Sequence, residues 1–468
     1  MVKFSRKVKM LAGITSVFVS LNAPATAHSL NEALISAYNS SGLLEQNRAV
    51  LRAADEDVAQ AIASLGPVIN WSASMQRSIS RGYAGSNFVG TTAGTTATVG
   101  LSLTQLLYDG GRSALAVEQR KEAVLSSRQS LVSVEQNVLL SAVQAFMDVR
   151  RYTETVALRE NNLRVIREEL RAAQDRFDVG EVTKTDVALA EARLAASQSA
   201  LAAAKGNLAQ ANEYYKQTVG GAAHALDAPR SLPRLPKSAQ AAKQLAVRNH
   251  PDIKKLQHDV KASELGVRAA AAYRQPNVSV GGQLQASDQI SNDTSSLSAS
   301  VSLQASGPVY ASGRYPSITR QAQQRSDAAR SALHVAVSQI EQQAGSAFSI
   351  LEVARAGRAA SEQQIRAATV AFRGIREEAT LGSRTTLDVL NAEQELLDAR
   401  AGLISAIADE NIAAYRLLAA TGQLTVDHLN LPVQKYDPAA YYNMVKDTPT
   451  ATSKQGKQLD KLLRSLNK

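Results

Sequence analysis

Arg176-Phe177-Asp178-Val179-Gly180-Glu181-Val182-Thr183-Lys184-Thr185-Asp186-Val187 places a glycine between two stretches of helical spacing, in the order that stops one helix before another follows. Leu381-Gly382-Ser383-Arg384-Thr385-Thr386-Leu387-Asp388-Val389-Leu390 repeats that order 202 positions later. Glycine ends a helix cheaply because it accepts a left-handed backbone. Each stretch therefore reads as a tight turn between two helices.

Working outward, the same offset of 202 relates Tyr108, Gly111 and Arg112 to Tyr310, Gly313 and Arg314. It also relates Phe146 to Phe348, Glu191 to Glu393, and Gly220 to Gly422. A gapless offset over more than a hundred residues is an internal duplication, which fixes the architecture before any local reading. The expected order in each copy is a helix (29–65 and 238–272), two strands, a long helix, the glycine turn and a second long helix. The first copy occupies 28–221, with strands at 67–77 and 95–107 and long helices at 113–177 and 183–219. A proline-bearing linker follows at 222–237. The second copy occupies 238–424, with strands at 276–286 and 296–306 and long helices at 315–379 and 385–421. Residues 425–468 read as a polar tail. The fold class is mostly α with a small β part.

Val149, Tyr152, Val156, Arg159, Leu163, Ile166, Leu170, Ala173 and Phe177 step by three and four along one face, and Val187, Ala190, Leu194, Ser197, Leu201, Ala204 and Leu208 do so on the ascending partner. A repeat near 3.5 residues held this long is a coiled-coil seam. The strands alternate with period two instead. Ile69 and Trp71, Val99 and Leu101, Val278 and Val280, and Val301 and Leu303 are assigned to apolar faces, and the opposite faces are small and uncharged. Ten-residue strands with one apolar and one polar face suit an outer-membrane barrel, yet four strands per chain cannot close one. Closure must come from sister chains.

Composition fits long, narrow-cored helices: 468 residues with 4% aromatics and a single Trp. Net charge is +10, of which Lys3, Arg6, Lys7 and Lys9 supply four. These four precede an apolar stretch, Met10 to Leu21, and a small-x-small site at Ala25-Thr26-Ala27, so residues 1–27 are expected to be a secretory leader. The remaining positive charge is interleaved with Asp and Glu, a pattern that argues against nucleic-acid binding. With no cysteine and six scattered histidines, no metal site is expected. No cofactor is called for, and no nucleophile or phosphate-loop constellation points to an enzyme.

The duplicated plan, the boundaries Leu107-Tyr108-Asp109-Gly110-Gly111-Arg112 and Tyr310-Ala311-Ser312-Gly313-Arg314, and the paired glycine turns together resemble the TolC family of outer-membrane efflux and type I secretion channels. The resemblance covers about Leu30 to Leu424. It implies a homotrimer whose three chains form a 12-stranded outer-membrane barrel, embedded in lipid, above a 12-helix periplasmic tunnel. It further implies a periplasmic adaptor and an inner-membrane pump, proton-driven or ATP-driven, as partners.

By motif position, Arg384 resembles the family's gate arginine, with Thr185 and Asp186 of the neighbouring turn as its partners. Asp388 matches an acidic ring at the constriction. Asn391 stands where a second acidic ring is often found, and Ala379 where the family has a gating Tyr. Val179, Gly180 and Glu181, with Leu381, Gly382 and Ser383, correspond to the tips that meet the adaptor. The competing reading is an exported coiled-coil scaffold of the cell envelope.

Overall fold

The computed structural model describes residues 29–229, 231–291 and 293–466, so the expected leader at 1–27 lies outside the described residues. Two helices open the chain, α1 (Leu30–Ser40) and α2 (Gly42–Ala63), followed by a hairpin of β1 (Val68–Ala84) and β2 (Asn87–Tyr108). Next come α3 (Arg112–Asp178) and α4 (Lys184–Val219). The second copy runs α5 (Ala239–Asn249), α6 (Pro251–Ala272), β3 (Asn277–Gln289), β4 (Thr294–Ser306), α7 (Arg314–Thr380) and α8 (Thr386–Ala420). Two short helices finish the chain, α9 (Ala440–Val445) and α10 (Lys454–Leu466).

α3 and α7 have 67 residues each, which at 1.5 Å per residue is roughly 100 Å. Around them the other helices lie side by side. α4 packs on α3, α3 on α8, and α8 on α7; nearer the sheet, α2 packs on α3, α3 on α6, and α6 on α7. The result is a row, with α4 and α2 at one end and α7 at the other. Helix faces answer to this placement. α4 has one main neighbour and buries a narrow stripe of Ala190, Ser197, Ala204 and Ala211, spaced by seven. Such spacing imposes a left-handed supercoil, and the small residues bring the backbones close. α8 lies between two neighbours and buries Val389, Leu390, Ala392, Glu393, Leu396, Leu397 and Ala399, a band too wide for one seam.

Both initial helices are broken where single helices over 29–65 and 238–272 were expected. Ser41 ends α1 and caps α2, its side chain accepting from the Leu44 N–H. His250 ends α5 and caps α6, with Pro251 at the first helical position, where its missing N–H costs nothing. These breaks make joints. The Ser36 and Ser40 hydroxyls donate to the Val219 carbonyl at 2.8 and 3.0 Å, satisfying the end of α4. Gly422, at φ +71°, lies so near His250 that a Cβ would sit 2.7 Å from its Cα. Thus α2 continues the line of α4, and α6 that of α8.

The four strands form one antiparallel sheet in the order β1-β2-β3-β4. They run further than the expected 67–77, 95–107, 276–286 and 296–306. Pairing continues to Ala84 with Asn87 and to Gln289 with Thr294, so most of the polar stretches Gly82–Gly94 and Ser287–Ser295 are strand, not loop. Uncharged Thr, Ser and Gly pair as readily as apolar residues when neither face needs a protein core. The register lines Trp71, Leu101, Leu284 and Ala299 into one rung, and Ile69, Leu103, Gly282 and Val301 into the next. All eight assigned apolar residues share that face. Rungs such as Ser72, Gly100, Gln285 and Ser298 fill the other.

The largest core sits at mid-height, where α1, α3, α4 and α8 meet. Phe146 and Tyr215 are fully buried there. Within the expected tail, residues 425–466 are docked on the helix row. Val426 and Leu431 enter that core, Tyr441 and Val445 pack on Ala59, and the Tyr441 hydroxyl donates to Glu56 at 2.7 Å. No described helix is long and apolar enough to cross a membrane.

Candidate gate and docking tips

The two glycine turns close the helix pairs at the end farthest from the sheet. In the first, the Glu181 N–H reaches back to the Arg176 carbonyl at 2.9 Å; in the second, Ser383 N–H bonds the Glu378 carbonyl at 3.0 Å. This wrap-back needs a left-handed residue, supplied by Gly180 at φ +80° and Gly382 at φ +78°. Space plays no part, since nothing lies within 4 Å of a Cβ at either position. Beside them Val179 and Leu381 stand 72% and 84% exposed, apolar knobs with no cover within the chain.

Each turn then restarts a helix through a reciprocal cap. Thr183 Oγ1 accepts from the Asp186 N–H at 3.3 Å, while Asp186 Oδ2 accepts from the Thr183 N–H at 2.9 Å. Thr385 and Asp388 do the same at 3.2 and 3.0 Å. The Thr183 hydroxyl and N–H hold the Asp186 carboxyl below the usual carboxylate range. The Thr385 N–H and hydroxyl, joined by the Arg384 charge, do so for Asp388. Both carboxylates stay ionised at any pH near neutral.

Arg384 Nε donates to Glu378 Oε2 at 2.8 Å, an ion pair across its own turn that the sequence reading did not contain. Within one chain Arg384 thus meets Glu378, while Asp186 bonds inside its own cap. Asn391 Oδ1 accepts from Arg193 Nη2 at 3.0 Å, tying α8 to α4. Two residues further along α8, the Asn162 amide approaches Glu393 Oε1 at 3.4 Å with both side chains buried. Burial raises the Glu393 carboxyl and the Asn162 bond opposes the rise. Arg358 on α7 donates to Glu410 Oε2 at 2.9 Å. The matching acidic residue on α8 was the signal that could have paired it. Among the described residues no cluster of His, Asp and Glu could hold a metal ion.

These paired turns, on a duplicated helix row under an antiparallel sheet, have counterparts in known proteins. The family profile described as outer membrane efflux protein matches residues 34–221 and 242–423. The chain belongs to that family. It is 36% identical over 451 residues to the outer membrane efflux protein BepC of Brucella suis, covering 95% of this chain and 96% of the relative. It is 26% identical over 341 residues to the alkaline protease secretion protein AprF of Pseudomonas aeruginosa, covering 71% of this chain and 70% of that one. In fold it matches the CmeC outer membrane channel of Campylobacter jejuni with a TM-score of 0.73, at 16% identity, over 89% of each chain. The TolC-like resemblance and the outer-membrane location of a Gram-negative cell follow from the family. So does a channel's role in transport, in place of the scaffold alternative.

Proposed function

We propose that three copies of this chain close into one passive exit duct, a 12-stranded barrel continued by a 12-helix tunnel. The observation that carries this reading is the pair of open edges. β1 and β4 are unpaired at the two sides of the sheet, and α4 and α7 end the helix row. Val301 on β4 is 85% exposed, and Val353 and Val370 on α7 are 72% and 73% exposed. In lipid an unpaired strand edge is untenable, so β1 of one copy must meet β4 of another. On this reading Ile69, Trp71, Val99, Leu101, Val278, Val280, Val301 and Leu303 face lipid.

The natural absence of cysteine makes the test clean. Cysteines scanned along β1, in a chain also carrying Ser300→Cys, should give disulfide-linked dimers and trimers in outer-membrane preparations. Monomers at every position would defeat the reading.

At the tip, Arg384 of one copy reaches Thr185 and Asp186 of the adjoining turn, Asp388 rings the constriction, and Asn391 lies above it without a charge. Val179, Gly180, Glu181, Leu381, Gly382 and Ser383 form the contact for a periplasmic adaptor serving an inner-membrane pump. Efflux of small molecules is the cargo favoured by the near-full-length likeness to BepC. Protein secretion is the second reading, favoured by the likeness to AprF. Export assays in a deletion strain, with a dye and with a secreted protease, separate the two.

A further inference from the structure

Where α8 ends and α6 begins, the wall between α3 and α7 holds an open cleft of about 400 Å³. One of its polar groups is buried with nothing to bond. Gln136, on α3, is only 4% exposed and its amide nitrogen has no partner. A buried amide left so is costly unless something enters to accept from it. Asn137, Gln342 and Gln343 add three more side-chain amides at the rim, and none of them has a partner among the described residues.

Two opposite charges line the same space without meeting. Arg416 has no ion-pair partner among the described residues. The Asp252 carboxylate accepts from the Ser133 hydroxyl at 2.5 Å and lies 3.8 Å from His250 Nδ1. His250 is kept neutral by burial, which lowers its pKa against the opposing pull of Asp252. Its Nδ1 accepts from the Asp252 N–H at 3.3 Å, which leaves the ring proton on Nε2. The apolar part of the lining is Ala347, Ala419 and Ala420, with Ile350 on the α7 side.

One unpaired cation, one accessible anion and a row of donor-acceptor amides between apolar walls complement a ligand of the same pattern. We propose that this cleft binds a short zwitterionic peptide with small side chains. Its carboxylate sits on the Arg416 guanidinium, its ammonium on Asp252, and its peptide groups on the amides of Gln136, Gln342 and Gln343. A guanidinium forks onto a carboxylate with two parallel bonds, which fixes the ligand's direction. The site lies at the joint between two helix segments, so occupancy also bridges α6 and α8.

Isothermal titration of tri-alanine into the purified full chain in detergent tests the assignment. Saturable binding with one site per chain is expected, weakened about tenfold or more by Arg416→Ala and by Asp252→Asn, since bonds to charged groups are the stronger ones. Gln342→Ala with Gln343→Ala, at exposed rim positions, should weaken it without touching the fold. No saturation by the wild-type chain overturns the proposal, as does equal affinity for acetyl-tri-alanine amide, which has neither terminal charge. Unchanged binding by both Arg416→Ala and the double glutamine variant overturns it as well, placing the peptide elsewhere.

Discussion

Arg193 Nη2 donates to Asn391 Oδ1 at 3.0 Å, and this bond joins the returning helices of the two repeats just above their tips. Opening the tunnel by swinging α8 away from α4 has to break it. The acceptor is neutral, so the bond lacks the Coulomb attraction that a carboxylate would add to the Arg193 charge. Asn391→Asp should therefore add ~0.2–1 kcal/mol per chain to the closed state, and single-channel conductance in planar bilayers should fall. Asn391→Leu should raise it. If both variants conduct like the wild type, the bridge has no part in closure.

Arg384 carries a separate expectation. Arg384→Ala frees both Glu378 in its own turn and any acceptor on the adjoining turn, so conductance should rise. Glu378→Gln separates the two contacts, since it loosens the arginine from its own turn while leaving it free to reach a neighbour. Conductance of Glu378→Gln at or below the wild-type value, with Arg384→Ala above it, assigns the latch to the neighbour. Equal increases assign it to the Glu378 pair.

The long helices were legible because their spacing is physical: Ala190, Ser197, Ala204 and Ala211 recur every seven residues, and any straight helix with that pattern must supercoil. Repeat arithmetic could not say that Glu191 is exposed on α4 while its counterpart Glu393 is buried on α8. That difference comes from neighbours, one helix against two, and is absent from either copy taken alone. The break at Ser41 was hidden because Ser-Gly interrupts no apolar stripe. The reach of the strands was hidden because Thr, Ser and Gly read as loop to any rule built on cores. In the tail, Tyr436 and Tyr442 stack on Arg48 and Arg128, contacts made across hundreds of residues that no local pattern announces.

That docked tail should respond to pH. Asp55 on α2 is fully buried with both carboxyl oxygens unbonded, and burial pushes its pKa from 3.8 up to about 6. Arg128 from α3 opposes the rise and Glu56 adds to it, while Tyr436 from the tail faces the same spot near Arg48 and Arg52. The folded carboxyl holds its proton more tightly than the unfolded one. Its contribution is thus fully present below pH 3.8 and lost as pH rises to 6, a loss of up to about 3 kcal/mol. Asp55→Asn keeps the neutral form at every pH. Thermal unfolding should show the variant more stable than wild type at pH 8 and nearly equal at pH 4. A constant difference between those pH values would mean that Asp55 does not titrate.

Ala204 tests the close approach of α3 and α4. It is 6% exposed in the narrow seam of small residues. Ala204→Leu should cost about 1–3 kcal/mol through overpacking, read as a lower midpoint in thermal unfolding followed by circular dichroism. Ala203→Leu, one position away on the exposed face, should leave the midpoint unchanged. A Leu tolerated equally at both would mean that the two helices lie further apart.

Gly382 separates the conformational role of a tip glycine from a docking role. Its φ of +78° penalises any side chain, and the open space around it means that size alone meets no clash within the chain. Gly382→Ala therefore carries only the left-handed backbone cost, roughly 1–2 kcal/mol, in a turn that frays without unfolding the row. Gly382→Trp carries a similar backbone cost and adds bulk beside the Leu381 knob. If an adaptor seats on this tip, the Ala variant exports near normally and the Trp variant does not, although both assemble. Gly180→Trp should behave alike at the companion turn beside Val179. Equal loss in Gly382→Ala and Gly382→Trp would make the glycine a helix terminator alone, and normal export from both Trp variants would remove the tips from the docking surface.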